Sequence, residues 1–164
     1  MNRFLFRHQP PMHLRSIAMA GLGGALAIVA LSALAALTGY AWLMAPFGAS
    51  AVLLFAAPTA VLSQPINVVA GHLVAALIGV VLVMVVPGYS WGAALAVGLA
   101  ISSTAALRII HPPAGATALF AYLTGAGWTF VLVPALTGSM MLVAIACVWQ
   151  KLQGGTYPIN PAQF

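Results

Sequence analysis

The chain has 164 residues, 63% of them hydrophobic and 3% charged, with five Lys and Arg, four His and no Asp or Glu. An average soluble chain is about one-quarter charged, so water is excluded as the main solvent. The missing carboxylates also exclude a paired-acid active site, a Ser-His-Asp triad and an oxygen cage for Mg²⁺ or Ca²⁺, and neither enzyme activity, cofactor nor metal centre is expected.

In chain order, residues 1–16 carry Arg3, Arg7, His8, His13 and Arg15. That excess of Arg predicts a cytoplasmic basic N-terminus. The apolar run that follows outlasts the core of a signal peptide and ends in no small-residue cleavage site, so it reads as a retained span. Four segments, 17–38, 68–86, 91–107 and 129–149, are long and apolar enough to cross about 30 Å of hydrocarbon. Tyr40, Trp42, Tyr89, Trp91, Trp128 and Trp149 mark their ends, where amphipathic rings favour the interface. Between them lie two shorter apolar pieces, 46–57 and 113–123, each opened by a proline at the position where a helix tolerates it. About eleven helical residues reach only about 16 Å.

The expected architecture is therefore an all-α membrane protein with four transmembrane helices plus two short broken or re-entrant helices. The transmembrane domain occupies 17–152, followed by a short C-terminal tail, 153–164. Cys147 stands alone in an apolar stretch and reads as a buried structural thiol. The net charge of +5 forms no phosphate-tracking stripe, because three of the five cations fall in the first fifteen residues. No nucleic-acid partner is expected; the bilayer is the partner the composition demands.

The two short pieces resemble each other. Pro46-Phe47-Gly48-Ala49-Ser50-Ala51 matches Pro113-Ala114-Gly115-Ala116-Thr117-Ala118 at an offset of 67 positions. The same offset lays Phe55 on Tyr122, Gly71 on Gly138 and Gly21 on Gly88, and predicts an internal duplication over about 17–86 and 87–152. Repeats of span, broken helix and span are a common transporter plan. A helix beginning within the membrane offers free N–H groups and the positive end of its dipole, which attract an anion without a charged side chain. Gly48 and Gly115 would let a solute approach the backbone, and Ser50 and Thr117 would offer hydroxyls.

Among the remaining polar residues, Arg108 is the only strong base between positions 16 and 150. It reads either as a cytoplasmic flank or as a group drawing an anion into a pathway. His111 precedes Pro112 and Pro113, which fix the backbone there, and could donate to a solute or titrate as a gate. Asn67 and His72 lie five apart and so point in different directions on a helix; each reads equally as pathway or packing. Gln64 reads as structural. With no carboxylate in the chain, any coupled proton would have to ride on a His.

The string His111-Pro112-Pro113-Ala114-Gly115-Ala116-Thr117-Ala118, with its first-half companion from Pro46 and the Gln64-Pro65-Ile66-Asn67…Gly71-His72 segment, resembles the signature of the HPP family of integral membrane proteins. The resemblance covers roughly residues 15–152. It implies four transmembrane helices and a transport role, with nitrite as the solute linked to similar members in cyanobacteria and plastids. Some relatives carry a nucleotide-sensing CBS-type domain, which the residues after Lys151 do not provide. The short N-terminus does not read as a plastid transit peptide, and a multi-pass protein of the bacterial inner membrane is expected. The functional expectation is a transporter or channel for a small, nitrite-like anion, with a homo-oligomer enclosing the path. The alternative is a non-transporting membrane subunit whose polar residues serve helix packing.

Two topologies follow. If the short helices are re-entrant, each repeat crosses twice and both repeats share one orientation. If they stretch across, each repeat crosses three times, the repeats are inverted, and Arg3, Arg7, Arg15, Arg108 and Lys151 all fall on one side.

Overall fold

The computed structural model describes residues 3–160, so the end of the expected tail, 161–164, lies outside the described residues. Among those residues all regular structure is helical. Helix α1 covers Leu14–Thr38, α2 Pro46–Ala56, α3 Pro65–Val85, α4 Ser90–Ala106 and α5 Pro112–Leu123; a short α6, Trp128–Phe130, leads through an irregular stretch, Val131–Leu136, into α7, Thr137–Leu152. Prolines open α2, α3 and α5, where a missing N–H leaves no bond unmade.

Three helical runs are long and apolar enough to cross a bilayer: Leu14–Thr38, Pro65–Val85 and Trp128–Leu152. The expected third span forms the 17-residue helix α4, about 25 Å long and short of the hydrocarbon thickness. The expected fourth span is present but broken. Val133 is extended (φ −133°, ψ 117°), as a residue before proline prefers, and Pro134 supplies no N–H to continue the ladder.

Side-chain contacts fix the direction of each helix. Gly23, in the first half of α1, lies against Phe55 near the end of α2 and Trp149 near the end of α7. Gln150 Nε2 donates to the Leu54 carbonyl (3.3 Å), and Asn67 Nδ2 near the start of α3 donates to the Ile110 carbonyl before α5 (3.0 Å). These ends share one face of the bundle. At the opposite face the Tyr122 hydroxyl, near the end of α5, lies 2.6 Å from the Val86 carbonyl and 2.8 Å from that of Tyr89, between α3 and α4. Inside the bundle, Gly138 at the start of α7 lies against Phe47 at the start of α2, so these two helices run the same way. Helices α1, α3 and α5 therefore run one way, and α2, α4 and α7 the other.

The C-terminal tail folds back on the face that holds the ends of α2 and α7. Tyr157 Oη donates to the Ser63 carbonyl (2.9 Å), and Gln64 Oε1 accepts from the Ile159 N–H (3.0 Å). Burial pushes the Tyr157 phenol well above its ordinary range, so it stays an O–H donor. Gln64 Nε2 also donates to the Pro58 and Ala60 carbonyls (both 2.9 Å). These bonds satisfy a loop whose backbone could not otherwise be stripped of water.

Small residues set the closest helix contacts, as expected where packing alone joins helices in lipid. A Cβ added at Gly79 of α3 would stand 2.6 Å from the Ala121 Cβ and 2.7 Å from the Ala118 carbonyl oxygen of α5. At Gly71 it would stand 3.0 Å from the His111 Cβ. Glycine at that position lets the turn before α5 lie on α3 and carries His111 inward.

Candidate functional site

The site lies where α2, α3 and the start of α5 meet. Each short helix places a hydroxyl one turn past a proline: Ser50 after Pro46 and Thr117 after Pro113. Helix α3 supplies His72 from between them. The N-cap of α5 supplies His111, extended (φ −136°, ψ 104°) before its two prolines. Ser50, His72 and Thr117 have no exposed surface, and His111 is 2% exposed.

The four side chains form one hydrogen-bonded chain. His72 Nδ1 is 2.7 Å from Thr117 Oγ1, and His72 Nε2 is 2.8 Å from Ser50 Oγ. Ser50 Oγ is in turn 2.9 Å from His111 Nε2, and His111 Nδ1 is 2.9 Å from the Leu62 carbonyl. Phe47 and His111 both meet the His72 ring edge to face, with centroids 5.2 and 5.0 Å away.

Proton positions follow from the carbonyl end. The Leu62 oxygen can only accept, so His111 carries its proton on Nδ1 and presents a lone pair at Nε2. Ser50 donates to that lone pair, accepts from His72 Nε2–H, and leaves His72 Nδ1 to accept from Thr117. With both imidazoles neutral, every member is satisfied and every bond points the same way. Each hydroxyl also has a second acceptor at 3.4 Å on its own helix, Pro46 O for Ser50 and Pro113 O for Thr117.

The other sequence-predicted residues stand apart from this cluster. Asn67 holds the turn before α5, and Arg108 is exposed where α4 ends. Gly48 faces a groove of about 690 Å³ between α1 and α2, whose walls are apolar. Gly115 faces a second groove, about 500 Å³, between α4 and α5, which His111 and Thr104 also line.

The free N–H groups expected at the short-helix starts are already engaged. Pro46, Pro112 and Pro113 have none, and Phe47, Gly48 and Ala114 donate to Met44, Ala45 and His111 carbonyls at 3.0, 3.1 and 2.8 Å. Side chains, rather than backbone, carry the polarity at the centre. What the sequence reading missed are the carbonyl partners, Leu62 above all. The Pro-to-hydroxyl spacing of four in both short helices was the available signal, because Ser and Thr bond back to the carbonyl four residues earlier.

A family profile described as the HPP transmembrane region matches residues 9–158. The chain belongs to that family. It is thus a multi-pass integral membrane protein of the HPP type. Two transmembrane proteins of Dictyostelium discoideum are similar, one 39% identical over 115 residues and one 36% identical over 114. Each match covers 65% of this chain but only 37% and 40% of the relative, so the HPP chain spans well under half their length. No solved structure matches.

Proposed function

We propose that this HPP protein transports a small monovalent anion, nitrite-like in size, along a pathway through the His72–Ser50–His111–Thr117 cluster. One observation carries the reading: four polar side chains from three helices converge, buried, in one hydrogen-bonded cluster inside a mostly apolar membrane domain. Polar groups at membrane depth are expensive and mark solute pathways more often than packing. The repeat supports it too. The alternating helix directions support reading α1–α2–α3 and α4–α5–α7 as inverted copies, and inverted repeats place solute sites at their interface. On this reading the short helices extend across, with each repeat crossing three times. Arg108 and Lys151 then join the N-terminal arginines on one face, and attract an anion to its mouth. The setting proposed is a bacterial inner membrane, on the strength of the sequence alone, and a homo-oligomer encloses the path.

The test is anion flux into liposomes holding purified protein, with nitrite, nitrate, formate and chloride in turn. Flux above protein-free vesicles is expected for nitrite, and His111→Ala is expected to reduce it at least tenfold while detergent-extracted yield stays near normal. Fluxes equal to those of empty vesicles for all four anions would sink the proposal.

A second reading has its own support. Every polar atom of the cluster has a partner, so the cluster could equally lock α2, α3 and α5 together in a non-transporting subunit. In that case His111→Ala removes folded protein in step with any activity.

A further inference from the structure

Resting on that transport reading, we infer that the buried His72–Ser50–His111 chain takes up one proton with each anion it binds, making the movement an electroneutral proton–anion symport. Three observations lead there: the order of the hydrogen bonds, the spare acceptors of the two hydroxyls, and the absence of carboxylates.

The bond order leaves two lone pairs that can receive a proton. If His72 Nδ1 is protonated, Thr117 turns its O–H from that nitrogen to the Pro113 carbonyl, 3.4 Å away, and accepts from Nδ1–H instead. If His111 Nε2 is protonated, Ser50 turns its O–H to the Pro46 carbonyl, also 3.4 Å away, and accepts from both rings. Either way one hydroxyl rotation keeps every group bonded, and no backbone moves. The two rotors occupy equivalent positions of the two repeats. The balance is plain: an acid HA gives its proton to a ring nitrogen, and A⁻ stays beside the resulting imidazolium.

That imidazolium has no fixed partner. The whole sequence contains no Asp or Glu. Facing His72, α2 brings Phe47 and Ser50, α5 brings Thr117 with His111 at its cap, and α4 and the Val131–Leu136 stretch bring no titratable side chain. Helix α7 carries only Cys147, which packs in the cluster around Ala27 and Leu54, and the exposed Lys151 at its end. A buried charge without a counter-ion is strongly disfavoured, so the anion itself must neutralise the proton. Linkage then works both ways: the anion raises the site's affinity for the proton, and the proton raises its affinity for the anion by the same factor. Approach from the α4–α5 groove reaches His111 first. Both ends of the chain close on carbonyls that cannot pass a proton on, Leu62 beside His111 and Pro113 beyond Thr117. The cluster therefore stores a proton and returns it, without conducting.

The experiment uses the full chain in two settings. In proteoliposomes, nitrite uptake is followed with a lumenal pH dye while potassium and valinomycin set the membrane potential, and protein-free vesicles are subtracted to remove diffusion of nitrous acid. A potential of about 100 mV biases one uncompensated charge by roughly fifty-fold. Symport predicts a change in uptake of less than twofold, with one proton entering per nitrite. In weakly buffered detergent solution, adding nitrite to the protein should remove about one proton from solution per anion bound. Ser50→Thr, which copies the other repeat's hydroxyl, should keep both signals, and Ser50→Ala should lose at least tenfold of the proton signal.

Uptake that follows the potential without lumenal acidification overturns the symport and leaves anion transport standing. Proton uptake in detergent without flux in vesicles keeps the coupled site and overturns transport. Silence in both overturns both, and because these readings use the unaltered chain they stand even if a variant fails to fold.

Discussion

Arg108 ends α4 in the left-handed conformation (φ 58°) that glycine holds at the equivalent positions Gly39, Gly125 and Gly154. A side chain there costs about 1–2 kcal/mol relative to a right-handed residue. The following Ile109 N–H closes the helix on the Thr104 carbonyl (2.9 Å), so the turn would accept glycine readily. Arg108→Gly is accordingly expected to raise the melting temperature in detergent, by a gain of about 1 kcal/mol; an unchanged or lower value would mean that the arginine side chain stabilises the turn. An arginine kept in a glycine's place points to a use for its charge, and its place on the face shared with Lys151 suits a topology anchor. The string around His111 was legible in sequence because its prolines and hydroxyls repeat. The partnership of His72 with His111 was not, since it depends on Gly71 and Asn67 drawing the turn before α5 onto α3.

At the scale of helices, the two short ones were readable almost to the residue, because a proline opens each and a run of small or turn-forming residues ends it. The broken fourth span was hidden: Pro134 sits among apolar residues that hydropathy averages into a continuous helix. Contact between α3 and α5 depends on glycine at position 79. Gly79→Ala would drive its methyl into Ala121 and the Ala118 carbonyl, and since the backbone of α5 cannot yield locally, a loss of at least about 1–3 kcal/mol is expected. A clear drop in melting temperature and extracted yield checks this; an unchanged protein would show that α3 and α5 separate freely. Gly48→Ala is the control, because nothing lies within 4 Å of its added Cβ.

For the whole molecule, helix direction favours the inverted arrangement of the two that hydropathy left open. In a Cys147→Ser background, a single cysteine placed at Leu107 should react with an impermeant reagent only from the cytoplasmic side, and one placed at Tyr40 only from the opposite side. Periplasmic labelling at both sites would restore the re-entrant, same-orientation arrangement.

The tail has a reach beyond its own few residues. Two successive carbonyls of one short segment face different tasks: Leu62 fixes which nitrogen of His111 holds its proton, and Ser63 receives the hydroxyl of Tyr157. The two carbonyls belong to adjacent rigid peptide planes hinged at the Ser63 Cα, so the anchorage of Tyr157 and that of the buried imidazole meet at one residue. The C-terminal strap is in that sense a lever whose short arm ends on the central histidine. Anything docked on the strap would act on the membrane interior through two adjacent peptide planes hinged at Ser63.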